Sequence, residues 1–205
     1  MKYFLLIFLF LSFTARSQKE TTQTLDASGI ETIVLNSDEI YRISVQAVPG
    51  DQITVNSRTD GEYFNNISLD SEVKRKVLYL NSRFREILQS GFDKLSAHKV
   101  YAMEVKLQIP EGMKLEVRSN VASVFMEGGY DEVLLQLKSG SAYLENFKGD
   151  AVINTYEGNI EVEAESAEVE AESRHGKVSV PDSINGFYKL KLISINGNIK
   201  VRETK

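Results

Sequence analysis

The chain has 205 residues, no cysteine and a formal net charge of −5 at pH 7, and 42% of its residues are apolar. Without cysteine there are no disulfides, thiolate metal sites or thiol nucleophiles. The mild acidity disfavours nucleic acid and anionic membranes as partners. The length fits one domain, or one and a half.

The first 17 residues carry the pattern of a secretory signal. Lys2 supplies the basic start, residues 3–13 are apolar except for one serine, and Ala15-Arg16-Ser17 offers small residues at a cleavage site. The apolar run is too short to span a bilayer. We therefore expect residues 1–17 to be a cleaved signal peptide and the mature chain to be exported to the periplasm, cell surface or medium. We expect no transmembrane segment after leader removal.

The next stretch predicts a less regular β region. Residues 18–24 are polar and are predicted to be a flexible N-terminus. Residues 25–112 are predicted to form an N-terminal β cap with irregular coils, because short alternating runs are separated by turn residues. Apolar residues at helical spacing interrupt this β pattern and predict one short helix that covers the β core. These residues are Phe84, Ile87, Leu88, Phe92 and Leu95.

Residues 113–203 are organised by a nine-residue repeat of apolar pairs. The first members are Leu115, Val124, Val133, Ala142, Ala151, Ile160, Val169 and Val178, and after an insertion Leu190 and Ile199. The second member follows two residues later, as in a strand with one buried face. Two such strands make one coil of about 18 residues, and a fixed period indicates a repeat architecture. The sequence therefore predicts an all-β fold, a parallel β-solenoid with five regular coils stacked in chain order.

Other features of the repeat predict its arcs and its end. Gly140, Gly158, Gly176 and Gly197 recur at one point of the coil and are predicted to be turn residues with positive φ. The final strand is charged at Lys200, Arg202, Glu203 and Lys205 and is predicted to protect the open edge of the stack. Antiparallel meanders also alternate, but their turns rarely keep one spacing over five cycles.

Several motifs together resemble a known family. They are the leader, His98-Lys99-Val100 before a long strand, the turn Ile109-Pro110-Glu111-Gly112, and the related runs 155–160 and 194–199. The sequence resembles the putative-adhesin (head GIN-type) β-solenoid proteins exported by Bacteroidetes-like bacteria. The resemblance covers most of residues 25–203. It implies an exported β-solenoid with an adhesin-like role and provides no catalytic residues.

The outward positions of the repeat give the candidate sites. Glu127, Glu145 and Glu163 are predicted to stand one above another, either as weak candidates for a cation site or as a solvated face. Phe125, Tyr143 and Glu161 run beside them and are predicted to form a ligand face. These two sets share one side of the predicted solenoid.

The sequence favours a non-catalytic protein. We find no Gly-x-Ser-x-Gly elbow and no phosphate-binding loop, and the two histidines are far apart in sequence. We expect an exported bacterial protein with a surface, adhesin-like or scaffolding role, no cofactor, and a protein or glycan partner that the sequence does not identify. The alternative is a glycan- or cation-binding module that uses the Phe125/Tyr143/Glu145 face, and a carbohydrate-active enzyme is the third reading.

Overall fold

The computed structural model describes residues 18–61, 67–84 and 101–204. Over these residues it confirms an all-β protein, in which fifteen strands form one large mixed sheet. The predicted signal peptide lies outside the described residues. The predicted short helix also falls there, apart from the backbone of its first residue, Phe84, which ends a strand.

The strands are short except for two in the middle of the chain. In chain order they are β1 Gln18–Asp26, β2 Thr32–Asn36, β3 Ile40–Val48, β4 Gln52–Gly61, β5 Ile67–Lys74, β6 Val77–Phe84, β7 Tyr101–Pro110, β8 Lys114–Ser119, β9 Ser123–Leu137, β10 Ala142–Thr155, β11 Ile160–Ala164, β12 Ala167–Ser173, β13 Val178–Ser179, β14 Tyr188–Ser194 and β15 Ile199–Glu203.

The sheet is arranged as two layers joined through β9 and β10. The front layer has the order β1-β4-β7-β3-β9-β10-β11-β15-β13, and the back layer has β5-β6-β2-β8-β9-β10-β14-β12. The first halves of β9 and β10 belong to the front layer and their second halves to the back layer. The pairs β1–β4, β4–β7 and β5–β6 are antiparallel, and the remaining pairs are parallel.

The nine-residue repeat appears in the register and in the core. Ala142 pairs with Val124 on one side and with Ile160 on the other, so residues 18 apart lie side by side. The predicted inward residues are buried except for four in or beside β12 and β13, namely Val169, Ala171, Val178 and Val180. The predicted strand faces are therefore correct, and the exceptions lie at one end of the stack.

The stacking order differs from the predicted chain order. The last two long strands of the repeat, β14 and β15, lie inside the stack of strands, because Ala151 pairs with Leu190 and Leu190 with Val169. The edge strands at this end are therefore β12 and the short β13. Because β13 pairs with Ile199 and Lys200, the prediction that the final strand forms the edge is wrong for these two residues. The nine-residue spacing determines which residues share a column, that is, occupy equivalent positions on neighbouring strands. It does not determine the order in which those strands are stacked.

Charge gives a physical reason for this order. The inserted strand β14 carries Lys189 and Lys191, and β12 beside it carries Glu168 and Glu170 in register with them. On its other side, the Lys189 backbone N–H donates to Asp150 Oδ1 at 2.9 Å. The basic strand β14 thus separates Glu168 from Asp150, two acids that chain order would place side by side.

The N-terminal region shows the same kind of insertion. β2 lies between β6 and β8, and β3 lies between β7 and β9. Part of the predicted irregular cap therefore continues the regular columns. Residues 18–24, predicted to be flexible, instead belong to β1, which pairs with β4 along its whole length.

The recurring glycines are required for a different reason from the one predicted. Gly140, Gly158, Gly176 and Gly197 do not have positive φ. They stack so closely that a Cβ on Gly158 would lie 1.8 Å from the carbonyl oxygen of Gly140. The repeat therefore selects glycine for backbone contact between coils and not for a left-handed turn.

A ladder of polar side chains satisfies the backbone beside these glycines. The Asn159 N–H donates to Ser141 Oγ at 3.0 Å, and the Ser141 N–H donates to Ser123 Oγ at 3.2 Å. Further along, the Asn198 N–H donates to Asn159 Oδ1 at 2.8 Å, and the Lys177 N–H donates to Asn198 Oδ1 at 2.8 Å. Each coil thus supplies an acceptor to the next, since backbone donors must be paired.

An aromatic pair fills the bend between the two layers. Tyr130 and Phe147 are buried and their rings stack with centroids 5.6 Å apart. Tyr130 Oη lies 3.1 Å from the carbonyl oxygen of Val45 and 3.0 Å from that of Glu127, and its proton is shared between them. Burial raises the pKa of the Tyr130 hydroxyl above its usual range.

This buried hydroxyl predicts an alkaline loss of stability. Because the folded-state pKa of Tyr130 is raised, its contribution is complete below the unfolded value of about 10 and declines as pH rises above it. We expect Tyr130→Phe to remove this part of the pH dependence and to cost about 1 kcal/mol at pH 7 through the lost hydrogen bonds. Urea unfolding of both proteins between pH 7 and 11 measures this, and equal alkaline slopes would contradict it.

Candidate functional site

The predicted ligand face lies on the outer surface of the front layer. Ser44, Phe125, Tyr143 and Glu161 are neighbours in register across β3, β9, β10 and β11. Their side chains point outward because the residues beside them in each strand, such as Val124 and those of its column, are buried. The structure therefore brings the three predicted ligand-face residues into one row and adds Ser44.

The aromatic rings of this row stack on each other. The centroids of Phe125 and Tyr143 are 4.9 Å apart with an interplanar angle of 15°. The Arg42 guanidinium lies over the Phe125 ring, 4.1 Å from its centroid, and makes a cation–π contact with it. Arg42 Nε is also 3.5 Å from Glu104 Oε1. The stack is thus held in place before any ligand binds, and Phe125 offers mainly its ring edge.

A trough of about 780 Å³ runs beside the aromatic stack. Arg42, Phe125 and Tyr143 form one wall. Its remaining lining is largely polar and includes Ser44, Gln46, Thr54, Asn56, Lys106 and Gln108. Concave sites with a few polar groups beside an aromatic wall are typical of ligand-binding surfaces.

Two amides in the trough are available to a ligand. Gln46 and Gln108 are neighbours in register and are exposed, and their side chains make no hydrogen bond within the described residues. Asn56 differs, because its Nδ2 donates to Glu20 Oε1 at 3.2 Å and to Thr22 Oγ1 at 3.1 Å. A side-chain amide can donate and accept at once. The two glutamines therefore provide free hydrogen-bonding capacity on this surface.

The predicted glutamate ladder is interrupted. Glu127 and Glu145 are neighbours in register, but the pairing of β10 with β11 shifts after Leu144. Asn146, with φ of 47°, makes this a bulge, and its Nδ2 lies 3.4 Å from Glu127 Oε1. Glu163 lies opposite the bulge and pairs in register with Arg202. No group of three or more potential metal-binding side chains occurs within residues 18–61, 67–84 and 101–204.

Glu161 also has a basic neighbour. Its Oε2 lies 3.7 Å from Arg202 Nη2, and Lys200 is its partner in register. The acidic end of the ligand row is therefore balanced by the inserted β15. This placement makes Glu161 part of a charged border, with the trough on the other side of Tyr143.

The sequence did not reveal the floor of the trough. Ser44, Gln46 and Gln108 come from the region predicted to be a cap, and their placement depends on β3 entering between β7 and β9. The available signal was the alternation in β3, where polar residues at 42, 44 and 46 are interleaved with buried apolar ones. That pattern indicates an outward polar row but does not tell which strands flank it.

Comparison with known proteins supports the fold. No family model matches the chain, and no curated protein matches it. A putative cell adhesion protein from Clostridium sporogenes has a similar structure, with a TM-score of 0.63 and 15% identity over 91% of this chain and 100% of that one. A putative adhesin from Bacteroides fragilis aligns over 91% and 97% with 14% identity and a TM-score of 0.37. In the described part of this chain, no helix could cross a membrane.

At these identities the likeness concerns the fold alone. The Clostridium sporogenes structure is matched over its whole length, so the fold of 91% of this chain is shared with a known structure. The expected relation to putative adhesins therefore has support at the level of architecture.

Proposed function

We propose that this protein is an exported, non-catalytic surface protein that binds a glycan with the trough on its front layer, within a β-solenoid scaffold. The proposal rests on one observation: two free amides, Gln46 and Gln108, lie in a concave surface beside the Phe125–Tyr143 stack. The leader pattern of residues 1–17 supports export. The description of a structurally similar chain as a putative cell adhesion protein supports a surface role.

The chemistry of the trough suits a neutral sugar. Sugar hydroxyls donate and accept hydrogen bonds, as glutamine side chains do. The edge of Phe125 and the ring of Tyr143 provide an apolar wall for the C–H groups of a pyranose ring. The charged lining of the trough has both signs, because Arg42 and Lys106 are set against Glu20, Glu127 and Glu145, so its net charge is small.

A cation-binding function is the second candidate, because Glu127 and Glu145 are adjacent and exposed. Hard cations prefer carboxylate oxygen, but calcium usually takes six to eight oxygens. Two glutamates on a sheet surface supply few of these. We therefore propose that any cation at this position binds weakly and is not needed for glycan binding.

The same two glutamates also argue for a binding role in place of hydrolysis. A glycosidase needs one carboxyl group that is protonated and one that is ionised, which requires two different environments. Glu127 and Glu145 are both exposed to solvent on neighbouring strands. We propose that they form the border of the trough and take no part in acid–base chemistry.

The test is a screen of the mature protein against an array of neutral oligosaccharides, followed by calorimetry on any sugar that binds. We expect the double variant Gln46→Ala/Gln108→Ala to weaken binding by about tenfold or more, because each lost neutral hydrogen bond is worth about 1 kcal/mol. The melting temperature should not change, since neither side chain has a partner within the described residues.

Gln136→Ala is the matched control, because Gln136 is an exposed amide on the back layer. Its sugar affinity should equal that of the wild type, with and without chelator. Binding that survives the double variant would refute the assignment of the trough, and binding that disappears with chelator would favour the cation-dependent alternative. No binding to any sugar on the array would count against a glycan ligand.

A further inference from the structure

The edge strand β12 presents unpaired backbone groups. The Arg174 N–H donates to the Ser194 carbonyl at 3.1 Å, and the Tyr188 N–H donates to the Ser166 carbonyl at 3.3 Å. In a parallel pair, alternate residues bond to the same neighbour. The even-numbered residues of β12 therefore face β14, and the N–H and C=O groups of Val169 and Ala171 face away. Within the described residues, β14 is the only strand that pairs with β12 over its length.

The core is also incomplete at this end. Val169 and Ala171 continue the inward columns of the back layer but are only partly buried. On the front layer Val178 is 43% exposed, and Phe187 in the following arc is 71% exposed. Val124 and the other inner members of the Val178 column are almost completely buried. An added strand beside β12 would cover the partly exposed Val169 and Ala171 of the back layer.

The outward face of β12 has a single sign of charge. Glu168, Glu170 and Glu172 alternate with the inward residues. Glu170 pairs with Lys191 Nζ at 3.2 Å, and neither Glu168 nor Glu172 has an ion pair in the described part of the chain. The strand β14 already pairs with β12 at its other edge. In β14, lysine alternates with leucine, and the lysines lie in register with these glutamates.

We propose that the free edge of β12 binds an extended segment of a partner protein in which apolar residues alternate with lysine or arginine. The segment adds a strand outside β12, as in β-augmentation. Its basic residues lie beside Glu168 and Glu172, and its apolar residues cover Val169 and Ala171. This surface is separate from the sugar trough and does not depend on it.

The same charges disfavour a second copy of this chain as the occupant. Two β12 strands paired edge to edge would place glutamates against glutamates, and like charges opposite each other destabilise a pair. The edge strand β5 at the other end of the back layer also carries acids, Asp70 and Glu72. Repulsion of this kind protects an exposed edge against self-association while it leaves a basic strand free to bind.

The test uses a fluorescent peptide with the sequence of residues 187–195, which contains β14, and the mature protein. We expect saturable binding by fluorescence anisotropy that weakens with salt, and no binding of a peptide in which both lysines are replaced by glutamate. Ala171→Pro should weaken binding by about tenfold or more, because proline removes the N–H that points to the free edge. The backbone hydrogen bonds between β12 and β14 remain.

A second variant, Glu168→Lys/Glu172→Lys, makes the test independent of the proline. It should weaken binding of the basic peptide and allow binding of the acidic one. Equal affinity of both peptides for the wild type would overturn the proposal, and so would unchanged binding by both variants. Self-association of the wild type in sedimentation experiments that Ala171→Pro abolishes would identify a second copy as the occupant and would also overturn it.

Discussion

Replacing Gly158 by alanine is expected to destabilise the protein by about 3 kcal/mol or more, a cost at the level of severe overpacking. The added Cβ would lie 1.8 Å from the Gly140 carbonyl oxygen, and backbone atoms cannot move aside as a flexible side chain can. The Gly158 carbonyl oxygen also accepts from Thr155 Oγ1 at 2.7 Å and from Ser194 Oγ at 3.2 Å. Separation of the coils would strain these buried hydrogen bonds as well.

Gly129→Ala is the matched control for this variant. Gly129 has no positive φ, and a Cβ there would meet no atom within 4 Å. It should be neutral, or stabilising by up to about 1 kcal/mol through lower entropy of the unfolded chain. Chemical denaturation of the two variants and the wild type measures both effects. Equal free energies of unfolding for the two variants would mean that the close stacking of glycines does not restrict side chains.

Sequence reasoning located these glycines but assigned them the wrong role. A glycine that recurs at a turn suggests positive φ, and the sequence alone does not show that Gly140 and Gly158 lie in contact. The contact arises only when residues 18 apart are stacked in parallel. Close approach of backbones is a property of the assembled coils, so it could not be read from one arc.

The columns were predictable because side chains alternate strictly along a strand. Ala151, Leu190 and Val169 were correctly assigned to one column, but Leu190 lies between the other two. Any coil with the right alternation fits any level of such a stack. The level depends on contacts between distant segments, among them the pairing in register of Glu168 on β12 with Lys189 on the inserted strand β14.

The candidate site also combines contacts that the repeat predicts with contacts that depend on the order of the strands. Phe125 and Tyr143 are 18 residues apart on successive coils, so the period alone predicts that they are neighbours. Gln46 and Gln108 come from β3 and β7, and their adjacency depends on a long-range insertion. The aromatic part of the wall could therefore be predicted from the sequence, and Arg42 and the floor could not.

Replacing Ile160 by aspartate is expected to destabilise the protein by about 3–5 kcal/mol at pH 7, because it removes a buried apolar side chain and introduces a charge without a partner. Ile160 is fully buried, with Ala142 on one side and Ile199 on the other in register. This position tests the inward face of the repeat.

Glu161→Gln is the control for this substitution, because it changes the adjacent outward residue and keeps its size. It removes only the exposed ion pair with Arg202, at 3.7 Å, which is worth about 0–1 kcal/mol. Burial raises the pKa of a carboxyl group. The cost of Ile160→Asp relative to the wild type should therefore shrink as pH falls below the folded-state pKa of the new carboxyl group, where the group becomes neutral. Urea unfolding of the three proteins at pH 4 and pH 7 measures this, and a cost that stays the same at both values, or similar stability of the two variants, would place residue 160 outside the core.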